Sequence, residues 1–421
     1  MRRKLVLILP VGAVCMPAEK FVLPAKLVDG VAAYVREWPG EVVAWVQRAV
    51  EPESHVDNRT WAACDLPCKF VVVDFQQLPA ADDPEFDDAV VLAFPDHRLR
   101  RLAEGCSKRG VPYVVYTELT LRTQVLIAWH DQLEFLARLR RITWLMFNHL
   151  GTRSTVRNAA GIQCNGTPTY DAYHRLNANT LQYFDTRTTE DMVPNDAELT
   201  ARIARRGIQK VPHLLFSGRL HVIKGVSDLV EVARRLHQSG VAFRMSIAGD
   251  GPLRDVIDAQ IVAAGLCNIV SRVGVLDFRE ELSPLLRKDV DLFVCPHIQG
   301  DPSCTYLETM SAGVPVVGYA NEALRGICRV SGAGWHVPVN RPDLLALEIA
   351  RVIRDSELMQ THSFRARNFA RQHLFEVEFR RRVAHMVRVS TDRSPAKWAA
   401  GNALPTVAAH GNDRTPRQGD A

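Results

Sequence analysis

The feature that most constrains this chain is a repeated alternation between short β-branched apolar runs and longer amphipathic segments. In the first half the apolar runs are residues 5–9, 42–46, 70–73, 89–93 and 113–116. Segments 25–37 and 98–109 have the apolar spacing of helices, and 120–150 reads as one long helical region. Such alternation is typical of parallel strands joined by crossover helices, so the first half is predicted to be an α/β domain.

The same pattern restarts after a break. Segment 158–194 contains the breakers Gly161, Gly166 and Pro168, reads as irregular, and ends in a polar stretch at 191–196, where we place the hinge. Strands are then predicted at 213–216, 243–248, 269–273, 292–295 and 315–318, with helices at 225–239, 253–264, 279–288, 303–312, 343–354 and 364–389. For 421 residues, two domains are the expected number.

Composition and charge exclude several classes of protein. The formal charge of +5, from 52 basic and 47 acidic residues, is too small to favour a nucleic-acid partner. The nine cysteines show no disulfide framework, and the close pair Cys64 and Cys68 has no second pair to complete a zinc site. A reducing, cytoplasmic setting is therefore expected.

The apolar N-terminal stretch 5–14 follows a basic start and could be mistaken for a signal peptide. Pro10 and Gly12 interrupt it, and we interpret it as the first strand of the sheet. No apolar run approaches the roughly 18 residues of a membrane span. The polar tail 391–421 is predicted to be disordered.

The first chemical motif is Phe216-Ser217-Gly218-Arg219-Leu220, followed by Lys224-Gly225. A strand ends here at a glycine, and two cations follow before the next helix. Arg219 offers a forked donor to phosphate oxygens and Lys224 adds a point charge, so the pattern suits a diphosphate. Two ordinary surface cations would give the same sequence.

A second strand runs into Gly249-Asp250-Gly251, where absent side chains would let a nucleotide lie close to the backbone. A tight turn with Asp250 bonded to local backbone explains the sequence equally well.

The third motif extends from Gly300 through Glu308. We expect Asp301 to cap a helix that has Pro302 at its first position and starts at Ser303. The first amides of such a helix can hold a diphosphate. Glu308 would then accept hydrogen bonds from a ribose, unless it is only a solvated carboxylate.

Taken together, these motifs and the later Leu307-Glu308-Thr309-Met310 run resemble the donor-binding domain of the group 1 (family-four type), retaining glycosyltransferases over about residues 205–390. The resemblance implies the GT-B fold, in which two Rossmann-like domains face each other across a cleft. It implies domains at 1–195 and 196–365, with a helix at 366–390 returning to the first. Its expected donor-binding set is Gly218, Arg219, Lys224, Gly249, Asp250, Gly251, Ser303, Cys304, Thr305, Tyr306 and Glu308.

One departure from the family pattern concerns the donor sugar. The family has a glutamate eight residues before the ribose glutamate, and this chain has Gly300 there. Asp301, one position away, could replace it as a catalytic carboxylate or could serve only as a helix cap. Loss of donor chemistry is the third alternative.

In the first half the resemblance is weaker, and candidates are taken from the predicted ends of strands, where open α/β sheets bind ligands. Gly12, Glu19 and Lys20 follow the first strand and would line the acceptor side of the cleft. His97 and Glu118 follow the fourth and fifth strands and are candidates for catalysis, although helix capping would explain each of them. The run 164–170 is also placed at the cleft.

The resemblance thus implies transfer of a sugar from a nucleotide-sugar donor to a saccharide or lipid-linked acceptor, with retention, in the synthesis of a bacterial polysaccharide or glycoconjugate. Arg219, Lys224 and helix amides would stabilise the leaving diphosphate, so neither a cofactor nor a metal ion is expected. The alternatives are a nucleotide-sugar epimerase of the same fold and a non-catalytic nucleotide-sugar-binding protein. Arg2, Arg3, Lys4 and the arginines of 138–141 are either solvated or contact anionic lipid at the inner face of the membrane.

Overall fold

The computed structural model describes residues 3–52, 57–78, 80–131, 133–208 and 211–391. These residues form two sheets of mostly parallel strands with helices packed on them, which confirms the predicted α/β class. The predicted disordered tail lies outside the described residues from 392 onward.

The first sheet contains the strands of residues 4–183. They are β1 (Lys4–Met16), β2 (Lys20–Pro24), β3 (Val42–Arg48), β4 (Asn58–Ala62), β5 (Lys69–Val73), β6 (Ala89–Ala93), β7 (Tyr113–Thr117), β8 (Gly161–Asn165) and β9 (Thr180–Tyr183). Its helices are α1 (Ala25–Glu37), α2 (Arg100–Arg109), α3 (Leu121–His130), α4 (Phe135–Asn158) and α5 (Gly166–Tyr173). Strands β5, β3, β1, β6, β7, β8 and β9 lie side by side in that order and are parallel.

Burial on both faces explains why the strands of this sheet are continuous apolar runs. All residues of β6 are buried, and they alternate between two core layers. Val91 and Ala93 join the layer under α2, whereas Val90 and Leu92 join the layer under α1. A strand covered by helices on both sides needs apolar residues at every position.

Two parts of this domain differ from the sequence prediction. Strand β1 does not end at residue 9 but continues to Met16, and its end pairs antiparallel with β2, which pairs with β4. Segment 158–194, predicted to be irregular, contains β8, α5 and β9. Gly166 is interpreted from the sequence as a residue that interrupts secondary structure. It has a φ of 68° at the junction between β8 and α5, so it allows the chain to turn sharply from strand to helix.

The predicted long helix over 120–150 is also two helices. Helix α3 ends at His130 and α4 begins at Phe135, and Arg141 of α4 forms an ion pair with Asp131.

The second sheet is built as predicted, with one further strand. Its strands are β10 (His213–Ser217), β11 (Arg244–Ala248), β12 (Val270–Gly274), β13 (Leu292–Cys295), β14 (Val316–Tyr319) and β15 (Trp335–Val337). The helices are α6 (Asp196–Ile208), α7 (Ser227–Gln238), α8 (Arg254–Ala263), α9 (Ser283–Lys288), α10 (Cys304–Ser311), α11 (Glu322–Ser331), α12 (Pro342–Arg354), α13 (Ser356–Arg371) and α14 (Phe375–Thr391). All strand pairs are parallel, in the order β12-β11-β10-β13-β14-β15.

The helix predicted over 364–389 is divided between α13 and α14. Helix α13 packs on α10 and α12 of the second domain, and α14 packs on α1, β8 and β9 of the first. The buried guanidinium of Arg382 on α14 lies over the rings of Tyr183 and Tyr34, at 4.1 and 5.3 Å, and its Nε donates to Gln163. The C-terminal helix therefore joins the two domains.

A buried histidine on α14 makes stability depend on pH. Desolvation lowers the pKa of His385 to about 4, with Arg388 adding to the effect, and its Nε2 lies 3.1 Å from the carbonyl oxygen of Asn179. Below pH 6.5 the unfolded state binds a proton that the folded state does not. We expect the free energy of unfolding to fall as pH decreases from 6.5 to 4, by about 3 kcal/mol from this group.

Chemical denaturation across this pH range measures the effect. His213 and His297 also have lowered pKa values, so the variant His385→Gln should remove only part of the slope. An unchanged slope in the variant would contradict the assignment to His385.

Candidate functional site

The carboxyl ends of the two sheets face each other across a cleft. At its rim, the hydroxyl of Thr120 donates to Glu322 at 2.8 Å, which links the first domain to α11 of the second. Helix α5 packs on α11, and a Cβ placed on Gly326 would lie 1.8 Å from the hydroxyl oxygen of Thr167. The cleft is therefore lined by the loops that follow the strands, as expected for ligand sites in open α/β sheets. The run 164–170 lies at this junction, as predicted.

The two predicted cations follow β10. Arg219 is exposed at the tip of the loop. Lys224 ends a short 3₁₀ turn and is half-buried, with Nζ 3.2 Å from a carboxylate oxygen of Asp301. The loop after β10 thus approaches the loop after β13, and both belong to one anion-binding edge.

The glycines after β11 have a packing role. Gly249 has a φ of 124°, and a Cβ there would lie 2.0 Å from the carbonyl oxygen of Gly218. At Gly251 a Cβ would lie 2.6 Å from the carbonyl oxygen of Leu220. Close contact with the cation loop therefore accounts for both glycines without a nucleotide, while Asp250 is exposed.

The start of α10 differs from the prediction. Asp301 does not cap the helix, because its carboxylate bonds to Lys224; the N-cap is Ser303, which makes no side-chain capping bond, and the helix begins at Cys304. Tyr306 points its ring into the core, where its hydroxyl contacts Cys295, so only its backbone can face a ligand. The side chain of Thr305 accepts from Ser303.

Glu308 is buried and is not a solvated helix carboxylate. Its Oε1 accepts a hydrogen bond from Nε of Arg187 at 2.8 Å. Burial disfavours the charged guanidinium, but the neighbouring carboxylate outweighs this and raises the pKa of Arg187, which also stacks on Phe278 at 4.2 Å. Arg187 lies in the chain between β9 and α6, where sequence reasoning identified no site residue.

A second cluster that the sequence did not reveal crosses the cleft. Lys26, near the start of α1, places Nζ 2.5 Å from Asp185 and 3.0 Å from the sulfur of Cys304. Enclosure in the cleft would lower the pKa of Lys26, but Asp185 raises it well above its usual value, so the amine is a cation. The cluster brings a charge of the first domain to the first residue of α10.

The space beside Gly300 is occupied by another carboxylate. A Cβ on Gly300 would lie 2.9 Å from the Cβ of Glu322 and 3.2 Å from its Oε2. Glu322 therefore brings an acidic group next to the position at which the resembling family has one.

Several buried polar atoms of the loop after β13 lack a hydrogen-bond partner among the described residues. They are both ring nitrogens of His297, the Oε1 of Gln299 and the Oδ1 of Asp301. Burial lowers the pKa of His297 well below its usual value, and Lys224 adds to this, so the ring is neutral. Buried polar groups are normally satisfied, so this loop is suited to a polar ligand.

The structure brings His97 and Glu118 together in one pocket of the first domain. This pocket, of about 240 Å³, is lined by His97, Glu118, Gln124, Trp144, Asn148, His149 and other residues. His97 lies 3.2 Å from Asp96 and packs edge-on against Trp144. Desolvation within the cleft and the charges of Asp185 and Asp301 raise the pKa of Glu118.

The other first-domain candidates are not in the expected loop. Gly12 lies within β1, next to a register shift against β3, because the strand continues past the predicted end. Glu19 and Lys20 are exposed at the turn between β1 and β2. The extension places Lys26, instead of these residues, at the cleft.

Arg3 and Lys4, considered for lipid contact, are engaged in ion pairs with Asp88 and Glu85. Within the described ranges, no helix is long and apolar enough to span a membrane. The same residues contain no group of three or more His, Cys, Asp or Glu side chains that could hold a metal ion.

Comparison with known families finds a similarity in the second half of the chain. Residues 201–369 match the family model described as glycosyl transferases group 1. The match covers the segment that contains the three motifs and agrees with the resemblance seen in them. The retaining mechanism and the family-four assignment stay predictions.

Two curated relatives are each similar to less than half of the chain. An alpha-D-kanosaminyltransferase of Streptomyces kanamyceticus is 30% identical over 39% of this chain and 43% of its own length. The amylovoran biosynthesis glycosyltransferase AmsK of Erwinia amylovora is 26% identical over 35% of this chain and 37% of its own. The matched part of the chain spans between 26% and 43% of the length of the curated relatives.

A solved structure extends the similarity of the fold to both domains. The Anabaena protein Alr3699/HepE, crystallised in complex with UDP, aligns with a TM-score of 0.60 over 91% of this chain and 99% of its own, at 16% identity. This likeness shows the GT-B fold that the motifs implied.

Proposed function

We propose that the whole chain is a retaining glycosyltransferase of the family-four type that transfers a hexosyl group from a nucleotide sugar to a saccharide or lipid-linked acceptor. The observation that carries the proposal is the convergence of the cation loop, the start of α10 and the buried Glu308 on the cleft edge of the group 1 domain. The relatives' names support a role in polysaccharide or glycoconjugate synthesis.

The proposed domains are 1–195, 196–365 and the returning helix 366–390. In this arrangement Arg219 and Lys224 bind the donor diphosphate, the first amides of α10 around Ser303 and Cys304 donate to it, and Glu308 accepts from the ribose. Negative charge develops on the leaving diphosphate as the anomeric bond breaks, and fixed cations and amides stabilise it there. Because these groups balance the charge, the proposal invokes no cofactor and no metal ion.

In the family, the glutamate that corresponds to Gly300 holds the donor sugar. Asp301 and Glu322 are two carboxylates of this chain that lie close enough to take that role. Asp301 is bonded to Lys224 and would be displaced toward the sugar once the diphosphate takes its place on that cation. Glu322 already lies against Gly300. We therefore propose that one or both carboxylates hold hydroxyl groups of the donor sugar.

The acceptor is proposed to bind in the pocket of His97 and Glu118. The raised pKa of Glu118 suits a carboxylate that exchanges a proton with an attacking hydroxyl. Lys26, whose charge acts on Glu118, would exchange Asp185 for a phosphate oxygen when the donor binds.

UDP sugars are the first donors to test, because the Anabaena protein of the same fold was crystallised with UDP. We propose that the protein works in the cytoplasm, where nucleotide sugars are available, at the inner face of the membrane. All nine cysteines are free thiols, in keeping with a reducing compartment.

One alternative function rests on a specific observation, namely glycine in place of glutamate at position 300. A non-catalytic nucleotide-sugar-binding protein would bind UDP sugars and never turn them over. An epimerase would consume the donor without an acceptor.

UDP is expected to raise the melting temperature of the protein, because a ligand that binds only the folded state stabilises it. The variant Arg219→Ala should lose most of this shift, since it removes a diphosphate contact. The matched control Arg351→Ala removes an exposed arginine on α12 and should retain the shift.

Incubation of UDP-hexoses with and without saccharide acceptors then distinguishes the activities. Acceptor-dependent product with the donor's anomeric configuration supports the proposal. Binding without turnover favours the non-catalytic alternative, and acceptor-independent conversion favours an epimerase. No thermal response to uridine, guanosine or adenosine diphosphate would remove the main support for the donor site.

A further inference from the structure

Helix α4 exposes a continuous apolar face to solvent. Its members are between 52% and 76% exposed and are Phe135, Leu136, Leu139, Met146, Phe147 and Leu150. At 100° per residue these six positions fall within about one third of the helix circumference. The helix is anchored on the opposite side by Leu145 and Val156, which are buried. We call the six exposed residues the α4 apolar face.

The charge of α4 has a single sign. Residues 135–158 contain five arginines and no acidic residue. Arg140 borders the α4 apolar face in the helical projection, while Arg153 and Arg157 continue it toward the C-terminal end. Arg141 forms an ion pair with Asp131. The guanidinium of Arg138 lies 5.6 Å from the centre of the Trp129 ring. Trp129 on α3 is itself 52% exposed.

We propose that the α4 apolar face docks on an anionic lipid bilayer. An exposed apolar helix face with basic residues and no acidic ones has the composition of helices that lie in the membrane interface. Anionic headgroups supply the negative charge that these arginines do not find on α4. A second copy of this chain is a poorer partner, because pairing two α4 faces would bring arginines against arginines.

The position of the helix deepens the proposed function, on which this inference rests. The other side of α4 contributes Trp144, Asn148, His149 and Thr152 to the pocket of His97 and Glu118. The bilayer surface and the acceptor pocket are thus separated by the diameter of one helix, about 10–12 Å with side chains. An acceptor whose sugar or phosphate headgroup protrudes from the membrane would reach the pocket, so the structure points to a lipid-linked acceptor.

Cosedimentation with vesicles tests the docking surface. We expect the full chain to bind vesicles of phosphatidylcholine with phosphatidylglycerol, to bind phosphatidylcholine alone much more weakly, and to lose binding at high salt. The double variant Leu139→Glu/Phe147→Glu should lower the bound fraction at least tenfold, because two apolar anchors become anionic. Leu347→Glu, at a position 65% exposed on α12, is the matched control and should bind like the native protein.

Two further measurements keep the outcomes separate. Unchanged thermal stabilisation by UDP in the double variant shows that its fold and donor site are intact, so lost vesicle binding belongs to the α4 apolar face. Vesicle binding by the double variant equal to that of the native chain overturns the proposal. The proposal is also overturned if the native protein does not bind vesicles but is a dimer in light scattering, and the double variant is a monomer. Vesicle binding by a protein that shows no thermal response to nucleotides would support the docking surface and contradict the proposed function.

Discussion

Replacing Lys224 with alanine is expected to lower kcat/KM for the donor by about 10²–10³-fold, as loss of one preorganised group that stabilises developing charge does in other enzymes. Lys224 is held at the loop after β10, half-buried and 3.2 Å from Asp301, so its ammonium does not have to be recruited from solvent. The measurement is steady-state transfer from a UDP-hexose. The matched control is Lys108→Ala, an exposed lysine on α2, which should leave kcat/KM unchanged.

A double variant tells two explanations of this loss apart. If Lys224 served only to neutralise Asp301, the variant Lys224→Ala/Asp301→Asn would regain the native affinity for UDP, because the carboxylate would no longer be unpaired and UDP lacks the donor sugar that Asp301 is proposed to hold. If Lys224 binds the diphosphate, the double variant should bind UDP as weakly as Lys224→Ala does. Full recovery would therefore contradict the proposed role.

Glu308→Ala is expected to weaken UDP binding about 10- to 100-fold, which corresponds to the roughly 1.5–3 kcal/mol of a hydrogen bond to a charged group. The carboxylate is buried on α10 and its position is fixed by Arg187, so it can accept from a ribose hydroxyl without reorganising. Titration calorimetry with UDP measures the change. Glu308→Gln keeps the shape and should fall between the native protein and the alanine variant.

Arg187→Ala tests whether Glu308 acts directly on the nucleotide. With the guanidinium removed, Glu308 keeps its place in the buried helix α10, and UDP affinity should fall by less than in Glu308→Ala. Equal losses in the two variants would mean that Arg187 is the group on which the nucleotide depends. Glu231→Gln on α7, a half-buried glutamate paired with Arg234, serves as the control outside the cleft.

The strands that could be predicted are short apolar runs, most of them covered on both faces of a sheet. The runs at 89–93 and 292–295 coincide with β6 and β13. The strands that were missed lack this signal. β9 has the polar residues Thr180 and Gln182 among its four and is mostly half-buried. β2 and β4 lie outside the parallel part of the sheet, where one face contacts solvent.

Residues at the cleft could be predicted where one local motif contains them. Lys224 and Glu308 each stand in such a motif, and each lies in the cleft as a charged group with a charged partner. Their partners could not be foreseen, because an ion pair between residues 187 and 308 has no local pattern. The capping role of Asp301 was wrong for the same reason: a cation 77 positions earlier in the sequence outcompetes the backbone amides for its carboxylate.

The sequence alone thus determined the layered α/β plan and the order of the donor motifs, because hydrophobic periodicity and strand-to-helix turns are short-range properties. The tertiary structure decided which groups meet in the cleft: Lys26 with Asp185 and Cys304, and Glu322 with Gly300. It also decided that the apolar side of α4 faces outward, since a list of apolar residues does not say which side of a helix is covered. The contacts of Lys26 join residues more than a hundred positions apart, and only the packing of the two domains brings them within bonding distance.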